Sequence, residues 1–195
     1  FSVLATGVYD QAAYFVKNFP QRPGIETQFI TGNDHAGWYV KQNNVNIGQV
    51  LEGQAREAGR TDLRYIGHIE RDLVFRQPEG DAVLRIIHAG GGSAYAFSYT
   101  SQKYAEALQG GEKPKIVIVG HYHKFDYCYP REVHMIQPGC TQDQSDFMRT
   151  RKIQAMLGGC VLWLRQNEKG IFTSVKVEFL PFYDKKFYDP HWDGT

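Results

Sequence analysis

One stretch constrains this chain more than any other: Lys115-Ile116-Val117-Ile118-Val119-Gly120-His121-Tyr122-His123. Ile116 to Val119 is wholly apolar and β-branched, which suits a parallel strand covered on both faces. Gly120 lets the backbone turn tightly at its end. Two imidazoles follow, one residue apart. In an extended segment, positions i and i+2 face the same side. His121 and His123 are therefore expected to reach one polar site at the carboxyl end of a sheet, where open α/β sheets place their ligands.

Other strands end in the same manner. Thr27–Thr31 reads as a strand and delivers Gly32-Asn33-Asp34-His35. Ala82–Ile87 reads as a strand that His88 closes, ahead of the Gly90-Gly91-Gly92 loop. Apolar spacing near 3.6 predicts helices over Tyr9–Phe19 and from Ile47 to about Gly59, and residues 97–108 suit a third. Leu63–Ile66 and Leu73–Phe75 read as short strands, as does Glu132–Gln137. Ser145 is placed to cap a helix running through Met148, Ile153 and Met156. Cys160–Arg165 and Ile171–Leu180 suit a hairpin across Asn167-Glu168-Lys169-Gly170.

Asn33, His88 and the pair His121 and His123 thus stand at the ends of three separate strands. Imidazole binds zinc, iron, nickel and copper, and an amide oxygen suits harder ions such as manganese. Mixed nitrogen and oxygen donors with open positions point to hydrolysis rather than a closed structural site. Alone, each residue has a plain alternative: a turn for Asn33, a buried ring bonded to a carbonyl for His88. His68 and His134 read as surface or strand histidines. Arg149-Thr150-Arg151-Lys152 reads as a solvated helix face that can also meet phosphates. Tyr95, Phe97, Tyr99 and Tyr104 suit either base stacking or the core.

The totals exclude several classes. A chain of 195 residues and 22.3 kDa suffices for one domain, 1–195, with a polar and aromatic tail over 181–195. A formal charge of +1 gives no global argument for nucleic acid or membrane. The three cysteines lack Cys-x-x-Cys spacing, and with no signal peptide the expected location is cytoplasmic. No apolar run approaches the ~20 residues that cross a bilayer.

Thr31-Gly32-Asn33-Asp34-His35, Ile87-His88, Gly120-His121-Tyr122-His123 and Met135-Ile136-Gln137-Pro138-Gly139-Cys140 together resemble the later motifs of the calcineurin-like metallophosphoesterases, nearest to phage and bacterial nucleic-acid-associated types. The resemblance runs from about Thr27 to Leu180. It implies an α/β (α+β) fold, a four-layer sandwich of two mixed β-sheets flanked by helices. It also implies two divalent transition ions in a complete domain, manganese foremost, with iron, zinc or nickel as alternatives. Asn33, His88 and His121 would bind one ion and His123 the other. The implied reaction is hydrolysis of a phosphoester, with DNA, RNA or a nucleotide as substrate, by water activated between two ions.

The sequence departs from the family twice. The opening Asp-x-His and Gly-Asp-x-x-Asp motifs do not occur before Asn33, where the acids are Asp10 and Glu26. The expectation is an N-terminally incomplete domain that by itself holds at most one ion. The third motif reads Asn-Asp-His where the family has Asn-His-acid, so the leaving-group role falls to His35 or to Asp34. A catalytically silent domain, serving as a binding or scaffold subunit of a nucleic-acid-processing assembly, is the alternative.

Overall fold

The structure is a computed structural model that describes residues 5–92 and 94–182, excluding the side chains of His35 and Glu112. The tail beyond Phe182 lies outside the described residues. Two compact units emerge: residues 1–71 with 87–90, and residues 72–86 with 91–195. The fold is mixed α/β, and helices flank its sheets as expected.

In the first unit, α1 (Val8–Asn18) and α3 (Ile47–Glu57) cover a parallel pair, β1 (Thr27–Thr31) and β2 (Leu63–His68). Val16, Ala55 and Leu63 form the core, with Phe19 and Leu51 packed on it. Arg60 closes the end of α1. Its buried guanidinium donates to the carbonyls of Val16, Phe19 and Pro20 and pairs with Asp62. Those carbonyls belong to the helix end and its exit, where the chain has no internal donors for them.

The second unit is built on a mixed sheet. Its strands are β3 (Glu70–Gln77), β4 (Gly80–His88), β5 (Ile116–Gly120), β6 (Phe125–Cys128) and β7 (His134–Pro138), in the order β3-β4-β5-β7-β6. The first residues of β3 and the last of β4 belong to the other unit. β5 and β7 run parallel, while β6 and β7 run antiparallel. Ile116 and Val117 are both buried, so adjacent residues of β5 are covered on opposite faces, as its composition requires. The hairpin of β8 (Gly158–Gln166) and β9 (Phe172–Pro181) lays Leu162, Leu164, Val175 and Val177 over Leu84, Ile116 and Ile136. Asn167 closes it by accepting from Lys169 N and Ile171 N. α4 (Tyr99–Ala107) is tied to β7 by Gln137, which donates to Phe97 O and Ser101 Oγ.

Three elements differ from the expectation. α2 (His35–Asn43) occupies part of what reads as loop; its sequence has no apolar stripe, and Asn44 ends it in the left-handed conformation. β6 is a four-residue edge strand whose bonds come from β7, so nothing local announces it. α5 (Asp146–Thr150) stops far short of Met156. Ser145 does cap it, through Met148 N. However, Lys152 turns left-handed, and the Met156 backbone bonds to His123 O and Cys140 N instead of continuing a helix.

The three cysteines are free thiols. Burial raises the pKa of each, with Cys128 pushed up to about 11. Among the described residues, no helix is long and apolar enough to cross a membrane.

Gly48, in the first turn of α3, faces the ring of Tyr65 so closely that a Cβ would stand 2.2 Å from it. Gly48→Ala should therefore destabilise the protein by about 1–3 kcal/mol through overpacking. A urea melt shows this as a lower midpoint at unchanged slope.

Candidate metal centre

The first unit gathers its candidate ligands through the backbone of one residue. Ile69 N donates to Thr31 O at 2.7 Å, and Ile69 O accepts from His88 N at 2.7 Å. Ile69 does both at φ 66°, a left-handed conformation that a β-branched residue rarely adopts. The exits of β1 and β2 and the end of β4 are thereby laced together. Asn33 and Asp34 leave one strand there, and His88 closes another.

Asp34 Oδ2 lies 3.3 Å from His88 Nε2. The carboxylate side chain is 46% exposed and the imidazole 25%, so the pair is open on one side and supported on the other. Gly32 provides the support, since a Cβ there would stand 2.5 Å from the His88 ring. The Asn33 amide packs less tightly on Gly90, 3.3 Å from where a Cβ would be.

The donor set suits a divalent ion. Bonds of about 2.0–2.2 Å place neighbouring donor atoms about 2.8–3.1 Å apart around an octahedral ion and about 3.3–3.6 Å apart around a tetrahedral one, and the Asp34–His88 separation of 3.3 Å meets the tetrahedral spacing. A carboxylate oxygen with an imidazole nitrogen suits manganese, iron or zinc better than a thiophilic metal. Asp34, read from the sequence as a candidate for the leaving-group role, sits beside His88 as a second ligand would. The backbone of His35 begins α2, but its side chain lies outside the described ones.

In the second unit, the extended geometry expected for His-x-His is absent. His121 has φ 97° and His123 φ 56°, and the left-handed conformations fall on these residues rather than on Gly120. The argument that both rings face one side because they alternate on a strand therefore does not hold. Interior demands on the neighbours explain the bend. Tyr122 is buried, bonds to Thr100, and has its phenol pKa raised by that burial. Lys124 is also buried, which lowers its pKa; it donates to Ala94 O at 2.8 Å and lies over the Phe97 ring. Met156 N holds His123 O at 2.8 Å.

His121 Nε2 lies 2.8 Å from Gly91 O. A carbonyl can only accept, so Nε2 carries the proton and Nδ1 the lone pair of the neutral ring. Metal-ligating histidines are commonly oriented in this way, with the second ring nitrogen donating to a backbone carbonyl.

The remaining candidates divide cleanly. His134 opens β7, stacks on Tyr127 and meets the Tyr129 ring at a tilt, and burial lowers its pKa. Tyr95, Phe97 and Tyr99 are all exposed, and Arg149–Lys152 is solvated. Ile69 and Lys124, which hold the loops, carry no sequence signal beyond their places next to histidines.

No protein-family model and no curated protein matches the chain. Solved structures give distant similarities. A single mutant of Vps29 from Entamoeba histolytica aligns at 13% identity over 87% of this chain and 89% of its own, with a TM-score of 0.40. Wild-type Vps29 of that organism, complexed with zinc, aligns at 14% identity over 83% and 85%, with a TM-score of 0.38. The solution structure of Thermotoga maritima protein TM1076 aligns at 15% identity over 71% and 74%, with a TM-score of 0.34.

The left-handed His121 gives a clean comparison. His121→Ala and His121→Gly both remove the imidazole, but only glycine relieves the backbone strain. The glycine variant should be the more stable of the two by about 1–2 kcal/mol. Parallel denaturant melts measure that difference; equal midpoints would remove the strain.

Proposed function

We propose that this chain is a metal-dependent phosphoester hydrolase of the calcineurin-like metallophosphoesterase type, acting on a phosphodiester of nucleic acid or a nucleotide. The observation that carries this reading is the Asp34–His88 pair, a carboxylate and an imidazole at ligand spacing on neighbouring chain exits. The Gly-His-x-His stretch, with His121 held in the tautomer of a metal ligand, supports it.

In this reading Asp34 and His88 hold one divalent ion with Asn33 as a further donor, and His121, through Nδ1, and His123 are candidate donors of the second unit. A bound ion of this kind supplies Lewis acidity to phosphoryl oxygens and makes water a nucleophile at neutral pH. The chain's own contribution is orientation. Gly32 keeps the His88 ring against the backbone, and Gly91 O fixes the rotation of His121.

A second reading, a metal-binding but catalytically silent domain, draws on the acids preceding Asn33. Glu26 is engaged by Gln28 and Arg64, and Asp10 lies on the exposed first turn of α1. Neither is presented as a bridging carboxylate.

Elemental analysis after dialysis against manganese or zinc separates the readings. Wild type should retain one ion per chain. His88→Ala should lose at least about tenfold in metal affinity, since even residues behind the ligands cost 10–100-fold. Hydrolysis of bis(p-nitrophenyl) phosphate should fall with it. Metal retention without hydrolysis would favour the silent domain, and failure to bind metal would reject both.

A further inference from the structure

We propose that Lys124 and Gln137 are positioning residues for His121: they hold the segment that carries the Gly91 carbonyl, and through it the tautomer of the ring. The inference rests on the hydrolase reading above in taking His121 as a metal ligand.

Three side chains of the second unit donate to one segment between β4 and α4. His121 Nε2 lies 2.8 Å from Gly91 O. Lys124 Nζ donates to Ala94 O at 2.8 Å. Gln137 Nε2 donates to Phe97 O at 2.9 Å. The acceptors fall on every third residue, and each is a carbonyl, which cannot donate. The atoms themselves therefore fix the direction of all three bonds. The Gln137 amide cannot be turned over, because its oxygen would then face Phe97 O. Its Nε2 also donates to Ser101 Oγ, at 3.1 Å. Phe97 is held twice, by its carbonyl and by its ring, whose centroid lies 4.6 Å from Lys124 Nζ.

Both donors are rooted in the sheet. Gln137 belongs to β7, and Lys124 O accepts from Gly139 N at 3.0 Å, just past the end of that strand. Lys124 is 7% exposed and Gln137 1%. Burying an ammonium or an amide is costly unless it is bonded, and an apolar side chain would fill either place without that cost. What the two polar groups add is a tether. Gly91, at φ 76°, and Gly92 give their segment little stiffness of its own. A carbonyl sets a histidine tautomer only while it stays in place, so the ties at Ala94 and Phe97 serve the ring of His121.

Nitrogen-15 NMR of the full chain at pH 8 reads the tautomer. Wild-type His121 should be the Nε2–H form, and an Nδ1–H form overturns the proposal. Lys124→Met keeps the stem and removes the donor. It should turn His121 into a mixture of tautomers and weaken zinc binding by roughly 10–100-fold, the range for residues behind a ligand. Lys124→Arg restores a donor and should recover part of both effects. Gln137→Met frees the far end of the segment and should act in the same direction with smaller size. It decides the question if Lys124→Met does not fold. An unchanged tautomer in either folded variant overturns the positioning role, as does an arginine variant no better than the methionine one. A tautomer shift with zinc binding unchanged would remove His121 from the metal ligands of the hydrolase reading while leaving the positioning role intact.

Discussion

The candidate site of the first unit depends on two hydrogen bonds made by one peptide. Ile69 gives its N–H to the end of β1 and its carbonyl to the end of β4. Donor and acceptor of this one residue thus point to different strands. Ile69 makes these bonds at a left-handed φ that costs about 1–3 kcal/mol. The return is that Asp34 and His88, 54 residues apart, stand at 3.3 Å.

The second unit solves a similar problem by burial. His121 and His123 carry left-handed backbones that histidine does not favour. What holds them is the residue after each: Tyr122 and Lys124 are both buried and both bonded inside. A buried lysine is costly unless its ammonium is satisfied, and Ala94 O with the Phe97 ring meets that need. Strain at the histidines and satisfaction at their neighbours are one arrangement.

Much of the scaffold was legible because it rests on short-range pattern. The apolar run of β5, the hairpin turn at Asn167 and the Ser145 cap each encode their geometry in a few residues. α2 and β6 were not legible. One lacks an apolar face, and the other exists only through bonds that β7 supplies. α5 was read too long because Ile153 and Met156 fit a helical stripe, yet the Met156 backbone is claimed by His123 and Cys140. The site shows the same division. His88, His121 and His123 were visible as imidazoles at strand ends. Asp34 as the partner of His88 was not, since adjacent Asn33, Asp34 and His35 all have metal or proton chemistry and only the turn of the chain chooses among them.

By itself the sequence determined the class of fold, the strands that end in histidine, and the chemistry available there, because side-chain type and two-residue periodicity are local properties. Tertiary structure decided which donors meet and in which protonation form. The Asp34–His88 spacing goes with the bonds of Ile69, and the His121 tautomer with the Gly91 carbonyl. A hydrogen bond has direction, and for His121 that direction is set by a carbonyl 30 residues away.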